Sequence, residues 1–133
     1  MGLPIPTTKS EELRNEVIER ILERDAWQWD RRTLESNDVD EAKLNLLLSR
    51  VHLDPPPEVM LKYPCLIIDD DGLSTVRADN SVYKKDYRKT LMYVTRDPDC
   101  DKLIDALLSL DYCSYDRSAI VDNLYHHYLS IKH

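Results

Sequence analysis

At 133 residues, 32% of them charged and 42% apolar, the chain has a soluble globular composition and fits one domain that buries roughly two-thirds of the surface its unfolded form exposes. A net charge of −7, from 25 acidic against 18 basic side chains, argues against a free-standing nucleic-acid binder held by phosphate contacts. No apolar run approaches the roughly 18 residues that span a bilayer. The start, MGLPIPTTKSEEL, lacks the basic region and apolar core of a signal peptide, so neither membrane insertion nor export by that route is expected. Met1-Gly2 alone is too little for myristoylation.

The first element is a helix over about 9–27. Thr8-x-x-Glu11 has the capping-box form, and Leu13, Val17 and Ile21, with Ile18 and Leu22 beside them, make one apolar stripe. The polar stretch QWDRRTLESND reads as a loop. A second start signal, Asp38-x-x-Glu41, opens a helix through AKLNLLLSRV, and Pro55-Pro56-Pro57 stops any continuation. CLIIDD is a short apolar, β-branched run ending at Asp71-Gly72, which predicts a buried strand.

STVRADNSVYKKD has no clear period and contains Asp79-Asn80, so it reads as a long loop or irregular ribbon. A strand over 87–96 follows. Asp97 at the cap and Pro98 at the first helical position then predict a helix with Leu103, Ile104, Leu107 and Leu108 as its buried stripe. YCSYDRSAIV and LYHHYLSIK flank Asp122-Asn123 as a β-hairpin. The sum is an α+β domain, a mostly antiparallel four-stranded sheet with helices packed on it.

The chemistry-bearing residues are sparse. Asp69-x-Asp71-Gly72 after an apolar run has the look of the nucleophile strand of a haloacid-dehalogenase-type phosphatase. That reaction needs the pair at the C-terminal end of a central parallel strand, followed by further β-α units, and only about 60 residues remain after Gly72. Three aspartates that terminate a strand and suppress edge pairing are the plainer reading. His126 and His127, adjacent in a predicted strand, point to opposite faces and cannot share a metal. Cys65, Cys100 and Cys113 are odd in number without C-x-x-C spacing, which predicts free thiols rather than a disulfide framework or zinc site. With glycine only at positions 2 and 72, no glycine-rich phosphate loop is possible, and no cofactor is expected.

Interface features remain. YKKDYRK gathers Lys84, Lys85, Arg88 and Lys89 around two tyrosines in an otherwise acidic chain, which suits an acidic protein surface or plain solvation. Trp27 and Trp29 near the end of the first helix could anchor a partner or pack on their own core. Asp79, Asn80 and Asp122-Asn123 suit turns, and Arg77 and Arg117 could pair with nearby carboxylates within or between subunits.

An ordered series of motifs runs through the last 80 or so residues: Tyr63-Pro64-Cys65, Ala78-Asp79-Asn80, Arg96-Asp97-Pro98-Asp99, Cys113-Ser114-Tyr115-Asp116-Arg117, and Asp122-Asn123-Leu124 with His126. In these motifs the chain resembles the tail-completion or tail-terminator proteins of tailed bacteriophages. It departs from them in a longer N-terminus and in His127 and Lys132 on the last strand. The resemblance implies a tail-terminator-like domain over 38–133 preceded by an N-terminal helical extension over 1–37.

It further implies a virion protein without catalysis. Its partners would be further copies of itself in a ring of six, the tail-tube protein and the head–tail connector, with DNA only passing through the lumen. Another neck adaptor such as a head-completion stopper is the alternative, and a phosphatase using Asp69 and Asp71 a remote one. An acidic lumen would keep the duplex from sticking. A closed ring needs unlike patches to meet. Lys84, Lys85, Arg88 and Lys89 would face Glu12, Glu16, Glu19 and Glu23 of the first helix, or the cluster Asp69, Asp70 and Asp71.

Overall fold

The computed structural model describes residues 2–55, 60–78 and 81–132, and side chains throughout these ranges except at 70–78 and 81–87. Its elements are α1 (Lys9–Arg24), α2 (Arg31–Leu34), α3 (Val39–Arg50), β1 (Val51–Leu53), β2 (Cys65–Ala78), β3 (Ser81–Thr95), α4 (Asp101–Leu108), β4 (Cys113–Val121) and β5 (Leu124–Lys132).

Helix α1 begins at the predicted capping box: the Thr8 side chain accepts from the Glu11 N–H, and the Glu11 carboxylate accepts from the Thr8 N–H. These bonds satisfy amides that the first turn leaves orphaned. The helix stops at Arg24, short of the expected 27, because Asp25 takes a left-handed conformation (φ 49°, ψ 47°) and its N–H closes the last turn. Aspartate tolerates that geometry better than most residues. Trp27 is thereby released from the helix and packs edge-on against Tyr93 of β3, ring centroids 5.6 Å apart. The stretch after it, expected as a loop, holds the one-turn helix α2, whose Asp30 cap accepts from the Thr33 N–H at 2.8 Å.

The sheet corrects the four-stranded antiparallel expectation. It is five-stranded and mixed, in the order β1-β2-β3-β5-β4, and the added strand, β1, runs parallel to β2. Three residues at the end of a helical pattern carry too little periodicity to announce a strand. A larger correction falls on the segment expected as a loop. Strands β2 and β3 pair antiparallel from Cys65↔Val94 to Ala78↔Ser81, with register shifts between Asp70 and Leu73 and between Val76 and Arg77. Asp79-Asn80 and Pro56-Pro57 lie outside the described residues.

Helix α4 starts at Asp101, with Cys100 rather than Asp97 at its cap position. Asp97 turns the chain earlier, its Oδ1 accepting from the Asp99 N–H at 2.9 Å. The last hairpin matches expectation: Asp122 (φ 52°) and Asn123 (φ 64°) are both left-handed, as a two-residue turn that follows strand twist requires.

One sheet face is sealed by helices. Leu13, Val17, Ile18 and Ile21 of α1, Leu44 and Leu47 of α3, and Leu103 and Leu107 of α4 meet Leu66, Ile68, Leu91, Tyr93, Leu129 and Ile131. Residues 1–37 therefore contribute to the same core as the rest of the chain. On the opposite face Cys65, Ile67 and Val94 form a smaller cluster with Leu61, Met92 and Leu124. Among the described residues no helix is long and apolar enough to cross a membrane.

Candidate assembly surfaces

The β2–β3 hairpin has two unequal parts. Its inner part is flanked by β1, which pairs with 66–68, and by β5, which pairs with Arg88–Thr95 of β3. Beyond these neighbours, 73–78 pair with 81–87, and among the described residues neither stretch has a second strand beside it. At roughly 3.3 Å per residue, this two-stranded ribbon projects about 23 Å from the sheet.

Most of the predicted interface residues lie on or at the base of that ribbon. Lys84 pairs with Val76, Lys85 with Thr75, and Arg77 with Val82, while Asp71 falls in the first register shift. Asp69 is opposite Thr90 and Asp70 opposite Lys89, so the aspartate cluster and the basic strand are two sides of one hairpin. Arg88 is exposed at the base, opposite Lys132. Lys89 is only 5% exposed, which withdraws it from the surface patch expected of it. Asp79 is outside the described residues.

The tryptophans serve the chain's own packing. Trp27 is buried in the main core. Trp29 is half-buried, donates its indole N–H to Asp25 Oδ1 at 2.6 Å, and has Lys43 Nζ 5.0 Å from its ring centre. Hydrogen bonds from Trp29 and then Lys43 hold the Asp25 carboxyl below the ordinary carboxylate range. Along α1, Glu12, Glu16, Glu19 and Glu23 are all exposed on the face opposite the apolar stripe.

At the far edge of the sheet, β4 is exposed along most of its length. Tyr112 (80%), Ile120 (68%) and Val121 (48%) leave apolar surface in solvent. Arg117 lies over the Tyr128 ring, 4.3 Å from its centre, and Ser130 hydrogen-bonds the Asp116 carboxylate.

One chain of side chains has no local sequence signal. Cys100 Sγ lies 3.1 Å from His127 Nε2, and His127 Nδ1 lies 2.9 Å from the Tyr115 hydroxyl. Tyr93 stacks on the same imidazole, and Cys100 and Tyr93 line a cleft of about 330 Å³ with Trp27, Gln28 and Lys102. Cys100 at the start of α4 meets side chains from β3, β4 and β5, so only the fold brings them together. The arrangement has the outline of a cysteine nucleophile with its base, but its electrostatics run the other way. Burial, then Asp101, Asp97 and Asp99, push the Cys100 thiol up, and burial pushes His127 down. Both groups stay neutral near pH 7, whereas nucleophilic pairs favour the thiolate. The contact ties α4 to β5 and β4.

The Asp69-x-Asp71 pair does not end its strand. β2 continues to Ala78, antiparallel to β3, so neither carboxylate stands at the C-terminal mouth of a parallel sheet. Among the described residues no group of three or more His, Cys, Asp or Glu side chains is placed to hold a metal. In comparison with known proteins, the chain matches no protein-family model and no curated protein.

Proposed function

We propose that the chain is a structural subunit of the tailed-bacteriophage virion: a tail-completion protein that forms a ring, of six copies, at the head-proximal end of the tail. There it ends tail-tube polymerisation and joins the tail to the head connector. The motif series from Tyr63 to His126 suggests this reading, and one observation of the fold carries it. The chain bears two unlike surfaces, a ribbon that projects from the sheet and a strand edge that is unpaired among the described residues. A ring closes by heterologous contacts between unlike surfaces of this kind. The net charge of −7 suits a ring through which DNA passes without sticking.

Negative-stain microscopy and mass measurement of the purified protein, alone and with tail-tube protein, test the proposal. Rings seated on tube ends, with shorter tubes as the protein is added, are expected. Binding to the portal complex without any affinity for tube would make the chain a head-completion stopper instead. Phosphate release from an aryl phosphate, abolished by Asp69→Asn, would make it an enzyme.

A further inference from the structure

We infer that the outer edge of β4 receives, by strand addition, the 81–87 strand of the β2–β3 ribbon from a second copy of this chain. The setting rests on the ring reading above; the pairing itself rests on backbone geometry. Strand β4 is last in the sheet order and, among the described residues, is paired on one side only, from Cys113↔Ile131 to Val121↔Leu124. The Lys132 N–H donates to the Tyr112 carbonyl at 3.3 Å, and the antiparallel alternation runs on from that bond. Tyr115, Ser118 and Ile120, opposite Leu129, His127 and Tyr125, therefore turn their N–H and C=O groups outward.

Natural edges are guarded by lysine, proline or covering segments. This one has neither residue in CSYDRSAIV, and its single cation, Arg117, lies over Tyr128. The bulge at Asp116 is its one irregularity, and Ile120 and Val121 beyond it are 68% and 48% exposed. Such an edge calls for a strand.

The chain carries a strand of fitting length. Residues 81–87 of β3 pair with β2 on one side, and among the described residues the pairing of β5 with β3 begins only at Arg88↔Lys132. Within one chain β5 separates β3 from β4, so the two open edges can meet only between copies. Charge selects β3 over β2 as the incoming strand. Lys84 and Lys85 outnumber Asp86 in it, whereas Asp70 and Asp71 outnumber Arg77 in β2, and the receiving edge has exposed Asp111, Asp116 and Asp122 along it. Repeated head to tail, the contact closes a ring or extends as a fibre.

Ser118→Pro removes an outward N–H and leaves the β4–β5 ladder intact, a position where an edge strand tolerates proline. Native mass spectrometry over a concentration series should show the same oligomer for wild type and Ser118→Ala, and at least tenfold weaker association for Ser118→Pro. Lys85→Cys chains mixed with Ile120→Cys chains should give a mixed disulfide dimer that neither forms alone, a check that does not depend on how the proline variant folds. Wild-type oligomers indifferent to Ser118→Pro would overturn the pairing. So would a wild type that is monomeric at every soluble concentration, or a Lys85→Cys link to Glu16→Cys in place of Ile120→Cys. Proline-sensitive dimers or fibres that never close would uphold the pairing and remove the ring; closed rings blind to the proline would do the reverse.

Discussion

The β2–β3 hairpin is one continuous ladder stabilised in two different ways. In its inner part Cys65, Leu66, Ile67, Ile68, Leu91, Tyr93 and Val94 are each no more than 5% exposed, with helices on one face and the smaller apolar cluster on the other. In its outer part the sequence turns to DDGLSTVRA and SVYKKDY, and each strand has a single neighbour. Two strands alone are marginal in water. The inner part is thus held by the chain's own core, and the outer part would gain a second neighbour through the proposed strand addition. Elements that look alike in a topology diagram differ here in support: helices and a second apolar cluster flank the inner ladder, and a single neighbouring strand flanks each outer one among the described residues.

Mutations should separate the two parts. Leu91→Ala, in the centre of the inner ladder and fully buried, should lower the unfolding free energy by about 3 kcal/mol in urea titration, through lost transfer energy and the cavity left behind. Thr8→Ala removes the cap of the helix that covers the inner part and should cost about 1 kcal/mol while leaving subunit association unchanged. Lys84→Glu with Lys85→Glu should do the opposite, shifting folding by no more than about 0.5 kcal/mol. Association should weaken, and added salt should then strengthen it where it weakens that of the wild type.

The smallest effect concerns pH. Burial lowers the His127 pKa in the folded chain, with Asp101 acting against it and His126 with it. As pH falls below the ordinary 6.5, the unfolded chain takes up this proton first, so stability declines until the folded pKa is passed. His127→Gln should flatten that part of a stability-versus-pH curve. His52, also lowered by burial, would retain its share of the slope.

How much of this was legible in the sequence depends on whether a buried face imposed a pattern. Helix α1 announced itself through Thr8, Glu11 and the Leu13-Val17-Ile21 spacing, and the last hairpin through Asp122-Asn123, because burial and left-handed turns restrict residue choice there. The ribbon did not, since STVRADNSVYKKD holds no regular alternation of apolar and polar residues and Asp79-Asn80 imitates a loop. Strand β1 was too short to show a period, and Asp97-Pro98 imitated a helix cap while forming a turn three residues earlier. Lys89, a charged residue at a buried position, looked like part of a surface patch. The Cys100–His127–Tyr115 chain joins residues up to 27 positions apart and needed the fold to be seen.

Hydrogen exchange measured across the assembly transition tests most directly whether a second copy completes the outer ribbon. Amides of 81–87 should exchange fast in the monomer and become protected on association, together with the outward amides of Tyr115, Ser118 and Ile120, and Ser118→Pro should abolish both changes at once. Protection of 81–87 already complete in the monomer, or association that protects the outer face of α1 and leaves β4 unchanged, would contradict it.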